Sequence, residues 1–214
     1  MSTRINARAI LFDMDGTLVD STPVVEKVWG RFAEQHGLDV AEILEHSHGV
    51  KAIDTIRRHV PDIDVDAAAA DLAAYEIDQN DGISEVPGAA AFVNSLELAE
   101  FAVVTSAPSQ LARVRLEICG IQEPTVLVGA DEVERGKPDP LPYLTAAKAL
   151  GVEPADCVVF EDAPAGIQSG LNAGMRVIVV NAIGTGTPDH LTHIADYANA
   201  RIERVEGGFE IVLD

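Results

Sequence analysis

Residues 9–20 read Ala9-Ile10-Leu11-Phe12-Asp13-Met14-Asp15-Gly16-Thr17-Leu18-Val19-Asp20, and the order of types in this stretch decides the fold. The apolar run from Ile10 to Phe12 is too short for a helix and ends in the turn dipeptide Asp15-Gly16, the pattern of a strand buried on both faces. Two acids, Asp13 and Asp15, stand where the apolar run ends. An ionised carboxylate taken out of water needs a cation or hydrogen-bond donors. The pair therefore requires partners from elsewhere in the chain.

Downstream of this strand the pattern changes. From Pro23 to about Asn80 no strand-like run occurs; Val24, Val25, Val28, Trp29, Phe32 and Ala33 recur at helical spacing, and further helical stretches cover about 49–60 and the Ala-rich 65–78. Trp29, Phe32 and Tyr75 read as the core of this helical region. Strand-like runs return at 101–105, 126–128, 157–160 and 177–180, separated by helix-length segments containing Ala and Leu. Such alternation predicts a parallel sheet with crossover helices. A last pair, about 199–204 and 209–213 around Gly207-Gly208, reads as a hairpin. The expected fold is α/β: a Rossmann-like parallel sheet core, residues 1–18 and 86–214, with an inserted α-helical cap domain at 19–85. The segments 18–21 and 84–88 form the expected hinge.

Composition narrows the function. The chain has 214 residues, 47% hydrophobic and 23% charged, which suits a folded domain with a sizeable core and not a disordered chain. Its net charge of −20 repels nucleic-acid phosphates and anionic membranes, so neither is an expected partner. An anionic substrate would need a local cluster of positive charge, and the only lysines are Lys27, Lys51, Lys137 and Lys148. No run of about 18 apolar residues exists, and Arg4, Asn6 and Arg8 occupy the place of a secretory apolar segment. The expectation is a cytoplasmic monomer. Cys119 and Cys157 lack metal-site spacing and read as structural thiols.

In open parallel sheets the ligand crevice lies beyond the carboxyl ends of the strands. There the sequence places Asp13 and Asp15, then Thr105 and Ser106, then Glu161 and Asp162, while Lys137 stands in Gly136-Lys137-Pro138-Asp139-Pro140 at the opening of a helix. Each alone would be an ordinary helix cap or solvated turn; their order on successive strand ends makes the case. Carboxylates crowded together raise one another's pKa, and a hard divalent cation relieves this. Oxygen-only donors favour Mg²⁺. Lys137 and the Thr105 hydroxyl add the fixed charge and donors that a phosphoryl group requires. Gly184-Thr185-Gly186 lacks the third glycine of a dinucleotide fingerprint.

The stretches "DMDGTLVDS", "VVTSAP", "GKPDP" and "VVFEDAPAGIQSGLNAG" resemble the four ordered motifs of the haloacid dehalogenase superfamily of aspartate-nucleophile phosphatases. The resemblance spans nearly the whole chain. Within the superfamily it is similar to the β-phosphoglucomutase-like group with a helical cap, and especially to small sugar-phosphate and glycerol-phosphate phosphatases. The resemblance implies that Asp13 is the nucleophile that forms an aspartyl-phosphate, and that Asp15 protonates the leaving alcohol and then activates water. It implies that Thr105, the Ser106 backbone and Lys137 hold phosphate oxygens. Mg²⁺ would be held by the Asp13 side chain, the Asp15 carbonyl and Asp162, with Glu161 direct or through water.

An Asp at position 15 argues for phosphate esters over the carbon–halogen or carbon–phosphorus bonds that other superfamily members cleave, and against a Schiff-base role for the lysine of Gly49-Val50-Lys51. His46 to Lys51 reads as a loop entering the next helix. Similar cap loops present a basic residue to the substrate, which makes Lys51, and secondarily His48, candidate substrate contacts; the other reading of Lys51 is a surface lysine in an exposed ion pair. The expected function is Mg²⁺-dependent hydrolysis of small phosphomonoesters such as a deoxyhexose 6-phosphate or glycerol phosphate. A phosphosugar mutase is the alternative in chemistry. A phospho-accepting signalling module is the alternative in class, disfavoured by motif order and by the helical insertion.

Overall fold

A computed structural model describes residues 2–181, 187–188 and 190–214; Gly184-Thr185-Gly186 lies outside the described residues. Strand β1 (Thr3–Ala7) precedes β2 (Ala9–Phe12), and β3 (Val19–Asp20) follows the acid-bearing turn. Helices α1 (Thr22–His36), α2 (Val40–Ser47), α3 (Ala52–His59) and α4 (Val65–Ile77) come next, closed by β4 (Ser84–Glu85). Then α5 (Ala89–Val93), β5 (Phe101–Val104), α6 (Ser109–Ile118), β6 (Val126–Val128), α7 (Leu141–Leu150), β7 (Cys157–Glu161), α8 (Pro164–Asn172) and β8 (Arg176–Val180) alternate. The chain ends with β9 (Thr192–Ile194), β10 (Ala200–Val205) and β11 (Gly208–Leu213).

Six strands form one sheet in the order β6-β5-β2-β7-β8-β9, and every pairing in it is parallel. The acid-bearing β2 is central, and Phe12 lies level with Val103 of β5 and Phe160 of β7. The carboxyl ends of three strands thus meet at one place, where the chain departs to opposite sides of β2; that switch point is where ligands of such sheets bind. The pleat sends alternate residues of β2 to opposite faces. Ile10 and Phe12 join Phe92, Phe101, Phe160 and Tyr197 on one face, while Ala9 and Leu11 pack with Tyr143, Ala146 and Ile167 on the other. Both faces are covered, which is why β2 is apolar throughout.

Helices α1 to α4 enclose a separate core of Val24, Val28, Trp29, Phe32, Ile43, Ile56 and Leu72, so Trp29 and Phe32 take the core role expected of them. Tyr75 is only partly buried, with the Arg31 guanidinium 4.1 Å over its ring. At the two crossings between helices and sheet, β3 pairs antiparallel with β4.

The hairpin of β10 and β11 forms as expected but gains a third strand. β1 pairs antiparallel with β11, Ile5 opposite Ile211, in a sheet ordered β1-β11-β10. Only Ala7 of β1 is buried, so the segment carries neither an apolar run nor a clear alternation. The helix expected over 49–60 begins only at Ala52. His46 and Ser47 belong to the last turn of α2, not to the following loop. Both cysteines are free thiols, Cys157 buried and Cys119 half-buried.

Candidate active site

The turn after β2 is built around one backbone oxygen. The amides of Leu18 and Val19 donate to the Met14 carbonyl at 2.8 and 2.9 Å, folding the chain back on itself directly after Asp13. Gly16 takes φ +87°, and a Cβ there would lie 2.1 Å from Oδ2 of Asp162. Glycine is needed twice over, for the left-handed backbone and for the close approach of the carboxylate. At the start of α8 a Cβ on Gly166 would stand 1.5 Å from Oε1 of Glu161.

These two spaces admit a dense cluster. Asp13, Glu161 and Asp162 are buried, and one carboxylate oxygen from each lies within 4.8 Å of the others. Lys137, also buried, donates to Oδ1 of Asp13 and, at 2.7 Å, to Oε1 of Glu161. The Tyr143 hydroxyl donates to the same Oε1 at 3.1 Å, and Oε2 of Glu161 accepts from the amides of Asp162 and Ala163, both at 2.9 Å. Thr17 Oγ1 donates to Oδ1 of Asp162 at 2.9 Å.

One ammonium stands against three carboxylates. Burial pushes Asp13 up to about 8, against the pull of Lys137 and with added repulsion from Glu161. Burial and the Glu161 carboxylate push Asp162 well above its ordinary range. Burial alone would lower Lys137, but the Asp13 and Glu161 carboxylates outweigh it and hold the ammonium charged. Burial and Glu161 raise the Tyr143 phenol, which keeps it a donor. The donor set is all oxygen, preformed and short of positive charge, and so fits a hard divalent cation.

Asp13, Asp15, Thr105, Ser106, Asp162 and His48 all line one cavity of about 110 Å³, walled further by Val25, Trp29, Leu72, Glu76 and Arg115. The structure therefore gathers most of the expected site residues. Trp29 is a core residue that also borders this space. Ser106 Oγ donates to the Gly49 carbonyl at 2.9 Å, joining the sheet to the loop before α3. The Asp15 carboxylate stands outside the three-acid cluster and accepts instead from Ser21 Oγ and Arg115 Nη1, each at 2.7 Å.

Lys51 departs from expectation. It is the buried residue just before α3 and does not line the cavity; its Nζ donates to the carbonyls of Ala130, at 2.7 Å, and Val133. Neither a substrate grip nor an exposed ion pair describes it here: its charge is committed to backbone oxygens of the segment after β6.

Two residues of the cavity wall escaped the sequence reading. Arg115, 1% exposed, donates through Nη1 to Asp15 and through Nη2 to Oε1 of Glu76 at 2.6 Å. It joins the acid after β2 to helix α4. Burial would lower Arg115, but Asp15 and Glu76 outweigh it; burial raises Glu76 against the pull of Arg115. A signal was present: Leu111, Ala112, Arg115 and Leu116 form the buried stripe of α6, and an arginine in an apolar stripe needs buried acids.

Sheet and site together define an α/β enzyme with a carboxylate centre at the switch point of a parallel sheet, walled by a helical insertion. The chain belongs to the haloacid dehalogenase-like hydrolases, whose family model matches residues 7–174, and within them it is a phosphatase. It is 44% identical to hexitol phosphatase A of Escherichia coli over 183 residues, covering 83% of this chain and 85% of the relative. It is 34% identical to glycerol-1-phosphate phosphohydrolase 2 of Saccharomyces cerevisiae over 190 residues, covering 83% and 75%. Among solved structures, CbbY of Rhodobacter sphaeroides in complex with phosphate superposes with a TM-score of 0.76 at 20% identity, covering 90% of this chain and 95% of that one; this likeness speaks to the fold.

Proposed function

We propose that the enzyme hydrolyses phosphate monoesters of small sugars or polyols with Mg²⁺, residues 19–85 acting as a cap over a core of 1–18 and 86–214. The observation that carries this reading is the buried cluster of Asp13, Lys137, Glu161 and Asp162, part of which opens into a cavity walled by the helical insertion. The names of the relatives support the substrate class.

In this mechanism a carboxylate oxygen of Asp13 attacks phosphorus and the ester P–O bond breaks. Asp15 gives its proton to the departing alkoxide. Asp15, now ionised, takes a proton from water; the water oxygen attacks phosphorus, and the acyl phosphate bond to Asp13 breaks to release inorganic phosphate. Thr105 and the Ser106 amide donate to the phosphoryl oxygens, and Lys137 provides fixed positive charge beside Asp13. Mg²⁺, held by the Asp13 and Asp162 side chains and the Asp15 carbonyl, with Glu161 direct or through water, would supply the charge that lets these carboxylates remain ionised together. Walling by the cap keeps bulk water and large substrates out, and His48, which lines the cavity, is the candidate contact to the leaving group.

Phosphate release across a panel of phosphorylated sugars and polyols with added Mg²⁺ tests the reading. Release at the rate of substrate loss is expected, and interconversion of sugar phosphates without release would make the enzyme a mutase. Asp13→Asn is expected to lower kcat by about 10³-fold or more; near wild-type turnover by that variant would remove Asp13 as nucleophile.

A further inference from the structure

The far wall of the cavity carries a charge pattern that bears on the leaving group. Arg115 is the only lysine or arginine among the described lining residues, and each of its terminal nitrogens donates to a carboxylate, Nη1 to Asp15 and Nη2 to Glu76. Its remaining Nε is buried without a partner. Lys51 is committed to backbone carbonyls. A second anionic group on a substrate would find at this wall only a cation already paired with a carboxylate, and would face the Glu76 carboxylate. A hydroxyl is met differently: the one side-chain hydrogen bond of Glu76 among the described residues uses Oε1, which leaves Oε2 to accept from an alcohol. Val25, Trp29 and Leu72 offer apolar surface to a carbon skeleton.

We propose that Glu76, held by Arg115 on the cavity wall, selects phosphomonoesters whose leaving group is an uncharged polyhydroxy alcohol and rejects those bearing a second anionic group. This rests on the phosphatase reading and adds to it the charge of the leaving group. The selection is largely repulsive: an anion loses its hydration and meets like charge, whereas a hydroxyl replaces water by a charge-assisted hydrogen bond.

Matched substrate pairs test it. Glycerol 3-phosphate and 3-phosphoglycerate differ by a hydroxymethyl group against a carboxylate; glucitol 6-phosphate and 6-phosphogluconate differ in the same way. The wild type is expected to favour the neutral member of each pair by at least about tenfold in kcat/KM. Glu76→Gln, which removes the charge and frees one side of Arg115, is expected to narrow that ratio by about tenfold, chiefly through KM for the anionic member, while Glu76→Asp keeps the preference. Equal use of both members by the wild type overturns the inference, as does a Glu76→Gln variant that slows both members by the same factor, the mark of a merely structural role. If Glu76→Gln does not fold, the wild-type pairs still decide. Hydrolysis of p-nitrophenyl phosphate separates the two readings: its absence with Mg²⁺ defeats the phosphatase reading, whereas its presence without discrimination between pair members defeats only this inference.

Discussion

Lys137 shows how a single side chain sustains a site that would otherwise repel itself. Its ammonium bridges Asp13 and Glu161, all three groups buried, and removing it leaves two carboxylates without a cation in a medium that solvates them poorly. Lys137→Met is expected to cost about 3–5 kcal/mol of stability and to abolish turnover, with urea unfolding and phosphate release as the two measurements; a variant as stable as the wild type would show that the acids protonate instead of unpairing. The residues around Lys137 were legible because chemistry-bearing types follow apolar runs at successive strand ends. Arg115 and Glu76 were not, since the pair is 39 residues apart and the Arg115–Asp15 pair 100 apart, and nothing local distinguishes a buried arginine from a solvated one except its place in an apolar stripe. The destination of Lys51 was equally hidden: a sequence shows that a lysine stands before a helix, not which carbonyls its four-carbon stem reaches.

At the scale of elements, the contacts that tie the helical insertion to the sheet domain include Ser106 to the Gly49 carbonyl, Lys51 to the Ala130 and Val133 carbonyls, and Arg115 to Glu76. The Lys51 contact ties α3 to the segment after β6. Lys51→Met strips two carbonyls of their donor and is expected to cost about 1–3 kcal/mol. Because the loss falls on the seating of the insertion, kcat/KM is expected to fall by one common factor over neutral and anionic substrates alike; an effect confined to one substrate would return the ammonium to the substrate. The strands β2, β5, β6, β7 and β8 were readable since burial on both faces makes them continuous apolar runs. The edge strand β9 and the N-terminal β1 were not, because β1 has one buried residue in five and its partner β11 comes from the other end of the chain. The short pair β3 and β4, two residues each, has too little pattern to read as strand; it falls within the segments 18–21 and 84–88 that the sequence marks as an expected hinge.

For the whole molecule, a net charge of −20 makes every cation weakly welcome, so a specific Mg²⁺ effect must be separated from screening. Protonation provides the separation. The Asp13 carboxyl ionises near its ordinary value of 3.8 when unfolded but only at about 8 in the folded, metal-free chain, chiefly because it is buried. Below about 3.8 both states hold the proton; between about 3.8 and about 8 the folded state keeps a proton that the unfolded state has lost. Stability from this group is therefore full at the acid end and is lost as pH rises through that window. Asp162 and Glu76 are shifted in the same direction. A divalent cation competes with the proton for Asp13 and Asp162, so its affinity for the folded state grows as the pH climbs, and by mass action so does the stabilisation it confers. The Mg²⁺-induced rise in Tm is thus expected to be larger at about pH 8 than at about pH 6, to survive matching of ionic strength with a monovalent salt, and to shrink in Asp162→Asn. A Tm increment that is flat with pH, or that monovalent salt reproduces, would mean that Mg²⁺ acts on the acidic surface and not on the carboxylates at the end of the sheet.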